Sequence, residues 1–187
     1  LSITVIEKDE DSLETNDVLY LNGDVDENTA EYFIRFLLER ELRAKKPEHI
    51  KMLISSDGGF IDNCMAMVDT MRGVSFPVYT YGLGHIYSCG LLLFMSGDKG
   101  HRYIFKNCMA LSHQWSGASE GKKHEIMAAD KAHKMNTSKI FNLYKEANPD
   151  LSAEIINKEL LPESDVFLSP KEVVKYGLAD KIITKFW

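Results

Sequence analysis

Short apolar runs alternate with helical periods along most of the chain. Val18-Leu-Tyr-Leu21 reads as a strand that stops at the turn signal Asn22-Gly23. Asn28 and Glu31 are spaced as a capping box, and Ala30, Phe33, Ile34, Leu37 and Leu38 then share one helical face. Met52-Leu-Ile54 is the next strand, ending at Asp57-Gly58-Gly59. Met65, Val68 and Met71 recur at helical period, and Val78-Tyr-Thr-Tyr81 follows Pro77 as a third strand. Beyond Gly82 and Gly84, Ser88 to Met95 is apolar all round and predicts a buried helix.

This alternation predicts βαβ units with right-handed crossovers and a mostly parallel sheet. Arg102–Phe105 and Met109–Ser112 read as short strands. Ser119 to Glu146 is a long polar stretch without proline, compatible with one helix. Its apolar residues (Ile126, Ala129, Ile140, Leu143, Tyr144 and Ala147) are too sparse to bury a whole face. It is either a solvated amphipathic helix or an arm that packs on another subunit.

Composition narrows the class. The 187 residues, 44% hydrophobic and 27% charged, fit one globular domain with room for a core. No apolar run is long enough to span a membrane, and a net charge of −6 argues against nucleic acid as partner. Cys64, Cys89 and Cys108 are widely spaced and odd in number, which fits a reducing, cytoplasmic setting better than a disulfide framework. No histidine pair has metal-ligand spacing, and there is no phosphate-binding Gly-x-x-x-x-Gly-Lys-Ser/Thr, so no metal or other cofactor is expected.

Three segments combine glycine, a reactive side chain and a strand exit. Ser55-Ser-Asp-Gly-Gly59 can turn backbone N–H groups toward a ligand, although a plain tight turn explains it alone. Ser88-Cys-Gly90 puts a serine at the first turn of a buried helix, where an N-cap is the plainer reading. Ile86 excludes the Gly-x-Ser-x-Gly hydrolase motif. His113, alone among the six histidines, ends an apolar strand that could hold a general base.

In this order the segments resemble the proteolytic subunit of the Clp protease, over nearly the whole chain from Val18 to Ile183. Ser88-Cys89-Gly90 is similar to the family's Ser-Met-Gly. Ala110-Leu-Ser-His113-Gln114 is similar to its Met-Ile-His-Gln-Pro, with Trp115 in place of the proline. Asp165-Val-Phe-Leu-Ser169 and Tyr176-Gly-Leu-Ala-Asp180 match its Asp-x-Phe-Leu-Ser and Tyr-Gly-Leu-x-Asp. Ser56-Asp57-Gly58-Gly59 stands for its Ser-Pro-Gly-Gly loop. The Ser88-to-His113 spacing fits the family, while His113 to Asp165 runs slightly long.

The resemblance implies a single α/β domain of the crotonase/Clp-protease kind, stacked βαβ units with a protruding handle helix. The head would comprise residues 17–112 and 165–187, and the handle about 114–148. It implies a serine endopeptidase acting on unfolded polypeptides inside a self-assembled chamber. Ser88 would be the nucleophile, His113 the base and Asp165 its orienting acid. Backbone N–H groups of Gly59 and Cys89 would form the oxyanion hole. Gly58, Phe60, Ile61, Gln114, Trp115 and Ser116 would bind substrate as an added strand. Heptameric rings stacked as a tetradecamer are implied, with ATP entering only through an AAA+ unfoldase partner.

Several positions depart from the family pattern. Asp57 puts a carboxylate beside a site for negative charge, with a solvent-facing side chain expected. His85, Ile86 and Tyr87 replace small residues, and Ser164 stands where the ring-to-ring arginine belongs. Lys51, Leu53 and Gly73 replace aromatic residues of the unfoldase-docking pocket, which implies an altered or missing pocket. The stretch before Val18 lacks a match to the axial loops. Two other readings stay open: an inactive structural relative of the same family, and a crotonase-type acyl-CoA enzyme sharing the fold.

Overall fold

A computed structural model describes residues 12–14, 16–118 and 120–186. The stretch before Val18 therefore falls largely outside the described residues. The chain begins its sheet with β1 (Val18–Val25), followed by α1 (Glu27–Glu41), β2 (Ile50–Gly59), α2 (Ile61–Gly73), β3 (Val78–Tyr87) and α3 (Cys89–Met95). After β4 (Arg102–Phe105) and β5 (Met109–Ser112) comes the long α4 (Lys123–Ala147). A short α5 (Ala153–Ile155) runs into a π-turn at Ile156–Leu160. The chain then forms β6 (Val166–Leu168), α6 (Pro170–Lys175) and β7 (Lys181–Ile183).

Strands β1-β2-β3-β4-β7 lie side by side and parallel, as the alternation predicts. β3 runs past both glycines and changes partner on the way. Thr80–Gly82 pair with β4, and His85–Tyr87 pair with β5. Gly84, at φ +58°, sits at the switch in a conformation that costs glycine little. A Cβ at Gly82 would crowd Ile86, Cys108 and Phe94 at 3.3–3.4 Å. The glycines thus carry β3 past Tyr81, where the sequence pattern predicts its end, to a second partner strand. β5 in turn pairs antiparallel with β6.

Alternation along the strands sorts the core. Leu19, Leu21, Met52, Ile54 and Val78 join Phe33, Phe36, Leu37, Met67 and Val68 of α1 and α2 in the main cluster. The opposite sheet face carries Val18, Leu53 and Tyr81, packed with Tyr79, Leu83, Tyr103, Phe105 and Ile183. All of these are strand residues among the described ones. Rings stack along this face: His49 on Tyr79 at 4.3 Å, and Tyr79 on His101 at 3.8 Å. Leu53, read as a lost aromatic, therefore sits on a face that other aromatic residues cover.

Two local expectations are corrected. The α1 N-cap is Asp26, whose carboxylate accepts from Thr29 N–H at 2.8 Å, because the strand runs on to Val25 and the helix starts before Asn28. The long helix begins at Lys123 rather than Ser119, which lies outside the described residues, and Gly121 at φ +146° precedes it. Its C-terminal part packs through Ile140, Leu143, Tyr144 and Ala147, whereas Ile126, Met127 and Met135 are exposed.

A buried arginine fastens that helix to the sheet. Arg102 of β4 is 2% exposed; it donates through Nε and Nη2 to Asp180 at 3.0 and 2.7 Å, and through Nη1 to the Ala147 carbonyl at 3.1 Å. Burial pushes the Asp180 carboxyl up, but the Arg102 guanidinium and the Arg102 and Gly100 N–H groups outweigh it and hold it below the usual carboxylate value.

Candidate active site

Strand register brings the three candidate catalytic residues to neighbouring exits. In the parallel β3·β5 ladder Tyr87 faces Leu111, and Ser88 N–H donates to the Leu111 carbonyl at 2.9 Å. In the antiparallel β5·β6 ladder Ser112 faces Val166, so the next pair in register is His113 and Asp165. Facing residues of an antiparallel pair have Cα atoms about 4.5–5.5 Å apart. Ser88, His113 and Asp165 thus each follow or precede the last paired residue of three adjacent strands.

Ser88 is held in a strained turn. Its backbone has φ +52° and ψ −120°, which a non-glycine residue adopts at a cost, and its side chain makes no N-cap bond to α3. The N-cap reading of this serine therefore fails. The strand-to-helix turn has the character of a nucleophile elbow although the hydrolase motif is absent. Space comes from other glycines: a Cβ on Gly58 would lie 2.6 Å from Ser88 Cβ, and one on Gly90 would lie 3.0 Å from the Ser56 carbonyl. The end of β2 thereby lies directly against Ser88 and Cys89. Gly58 has φ +100° and Gly59 φ +149°, and Phe60 N–H donates to the Val25 carbonyl at 2.9 Å.

His113 donates from Nδ1 to the Gln114 carbonyl at 2.6 Å. That bond leaves Nε2 as the acceptor nitrogen, the tautomer a general base needs. Among the described residues, no hydrogen bond joins His113 to Ser88 or to Asp165. Asp165 is exposed.

A cavity of about 300 Å³ opens beside Ser88 and is lined by both Ser88 and His113. Of the predicted substrate-binding residues, Phe60, Ile61, Trp115 and Ser116 line it, as do Gly59 and Cys89, while Gly58, Gln114 and Asp165 do not. Gly58 packs beneath Ser88, and Gln114 directs its amide to the Leu161 carbonyl at 2.8 Å. Trp115, in place of the family's proline, lies against His133 of α4 with ring centroids 4.1 Å apart.

The far wall comes from α4, through Asn136, Ile140 and Tyr144. These residues were missed as site residues, although their i, i+4, i+8 spacing marks one helix face. The Tyr144 hydroxyl meets Ser112 Oγ at 2.5 Å, and Ser112 donates to the Leu160 carbonyl. Burial pushes the Tyr144 phenol well above its usual value, so it stays neutral. The Tyr144 hydroxyl is thus hydrogen-bonded within the wall, beside the lining residues Leu92 and Ile140.

Asp57 turns away from the cavity. Its side chain is 70% exposed and lies 3.4 Å from His85 Nε2. On the inner side, Cys89 Sγ donates to the Gly59 carbonyl at 3.3 Å, and Cys64 Sγ donates to the Cys89 carbonyl at 3.7 Å. Contact with the Cys64 thiol lowers the Cys89 thiol against the opposing effect of burial, and the same contact raises Cys64.

A glycine loop, a strained serine and a histidine thus border one cleft at the end of a parallel sheet. The chain matches the family described as Clp protease over residues 6–186, and it belongs to that family. The family generally forms oligomeric rings. Among the described residues, no helix is long and apolar enough to cross a membrane.

Proposed function

We propose that this protein is a serine endopeptidase that cleaves unfolded polypeptides by a Ser88–His113–Asp165 triad inside a chamber built from its own copies. The observation that carries this reading is the common exit of β3, β5 and β6 beside the glycine end of β2. Ser88 Oγ attacks the scissile carbonyl while His113 Nε2 takes its proton. Asp165 accepts from His113 Nδ1 once that hydrogen leaves the Gln114 carbonyl. Gly59 and Cys89 N–H groups stabilise the oxyanion. The imidazolium then gives its proton to the leaving amine, and water hydrolyses the acyl-enzyme by the same base. An extended substrate lies between Phe60–Ile61 and Trp115–Ser116, held through its main chain.

Enclosure comes from heptameric rings stacked in pairs, with α4 as the ring-to-ring handle. Any ATP-driven unfoldase docks through a pocket altered at Lys51, Leu53 and Gly73. A second reading, a catalytically weak scaffold of the same family, is favoured by the His113 bond to Gln114 rather than to Asp165. Labelling with a fluorophosphonate probe separates the two. The peptidase reading expects one label, on Ser88, and loss of both label and peptide hydrolysis in Ser88→Ala. Loss of a triad serine costs on the order of 10⁶ in turnover in the subtilisin precedent. An unlabelled, folded protein would favour the scaffold.

A further inference from the structure

The two thiols beside the cleft have no part in the triad chemistry, yet they close a circuit around the loop that serves it. Cys64 lies one turn into α2, and its N–H donates to the Phe60 carbonyl at 3.0 Å. Its thiol reaches back to the Cys89 carbonyl at 3.7 Å, and the Cys89 thiol returns to the Gly59 carbonyl at 3.3 Å. Gly59 and Phe60 are consecutive, so the bonds form a ring. It runs from the end of β2 through the first turn of α2 to the first residue of α3. Both residues are buried, at 0% and 3% exposure, where hydrogen bonds are electrostatically stronger than in water. The outer side of the same loop is fixed to β1 by Phe60 N–H and the Val25 carbonyl.

We propose that Cys64 and Cys89 are positioning residues whose thiols tether the Gly58–Gly59 loop to α3 and so set the spacing of the two oxyanion donors. This rests on the reading of the Gly59 and Cys89 N–H groups as those donors. A thiol is a weak donor, and the bond itself contributes little to stability. Its effect is geometric, because donors must sit about 2.7–3.1 Å from the developing oxyanion. Displacing a supporting group by ~1 Å can cost about 100-fold in rate.

The test uses the full chain and compares Cys89→Ala, which removes the donor, with Cys89→Ser, which keeps one. Acylation by a peptide p-nitrophenyl ester, affinity for a peptide aldehyde and melting temperature are measured for each. Cys89→Ala is expected to lower kcat about tenfold, below the full loss of an oxyanion donor. KM should stay near wild type, and aldehyde affinity should fall in parallel with kcat. Cys89→Ser should recover to within about threefold of wild type, again on the scale of a partial donor loss.

Wild-type acylation in Cys89→Ala overturns the tether while leaving the serine site intact. Equal loss in Cys89→Ala and Cys89→Ser overturns it as well, since bulk rather than the donated hydrogen would then matter. If position 89 tolerates no change, Cys64→Ala against Cys64→Ser makes the same comparison from the other end of the ring. Hydrolysis that survives Ser88→Ala would fell the underlying site, and the tether with it.

Discussion

Gly58 shows how closely the site is packed at the level of one atom. It has φ +100°, and an added methyl group would meet Ser88 Cβ at 2.6 Å, the Tyr87 carbonyl at 2.9 Å and Cys89 N at 3.1 Å. Gly58→Ala must therefore move either the loop or Ser88. We expect turnover to fall about 100-fold, as for a supporting group misplaced by ~1 Å. Fluorophosphonate labelling should slow in step, with a modest drop in melting temperature. Near-normal labelling of Ser88 in a folded Gly58→Ala protein would contradict the packing. Ser88, His113, Gly59 and Cys89 all border one cavity, and a strand-end histidine and a glycine pair mark such positions locally in the sequence. Asp165 carried no such signal beyond its motif, and its partner depends on a register that no local pattern encodes. Cys64 reads from the sequence as a small buried hydrophobe, and its contact with the Cys89 carbonyl depends on packing across the fold.

Among the elements, β3 and α4 differ from what the sequence pattern predicts. The polar end of β3 hid its continuation, since Gly82 and Gly84 read as breakers while the fold uses them to bend a strand between two partners. In α4 the sparse apolar residues divide into a packed C-terminal part and an exposed N-terminal part, a division set by tertiary packing. The packed end depends on the Arg102–Asp180 pair. Removing one partner of a buried pair costs about 3–5 kcal/mol. Asp180→Asn should therefore destabilise the protein by about 3 kcal/mol in urea unfolding, toward the low end because Asp180 is partly exposed. The same pair sets an acid limit. Since the folded Asp180 carboxyl lies below its unfolded value, its stabilisation is complete above the unfolded value of about 4 and is lost as pH falls through the folded one. Wild type should lose stability on acidification more steeply than Asp180→Asn, and parallel urea midpoints from pH 6 to pH 3 would refute this.

Over the whole molecule, α4 leaves apolar side chains exposed, Met127 most of all at 64%. With α4 as the proposed ring-to-ring handle, Met127→Glu should weaken assembly without touching the core. Mass photometry should show the double ring giving way to single rings or smaller species, while the melting temperature of the head changes little. An unchanged mass distribution would remove this part of α4 from the interface. The fold class was legible because strands and helices alternate with distinct periods. Periodicity alone does not give the assembly, which the sequence suggests only through the family resemblance, because a polar helix has the same composition whether it faces water or another subunit.

The exits of β3, β5 and β6 also explain which changes of chain length such a site can absorb. The connection from His113 to Asp165 spans α4, α5 and the π-turn, yet its length does not enter the meeting of those two residues. An insertion within it costs only the slowly growing entropy of a longer loop. A single deletion inside β5 or β6 behaves differently. It slides one strand by a residue, reverses which side chains face the core, and delivers Gln114 or Ser164 to the exit instead. The somewhat long spacing in this chain thus leaves the strand exits where they are, whereas drift in length within the few residues of ladder on either side of it would part His113 from Asp165.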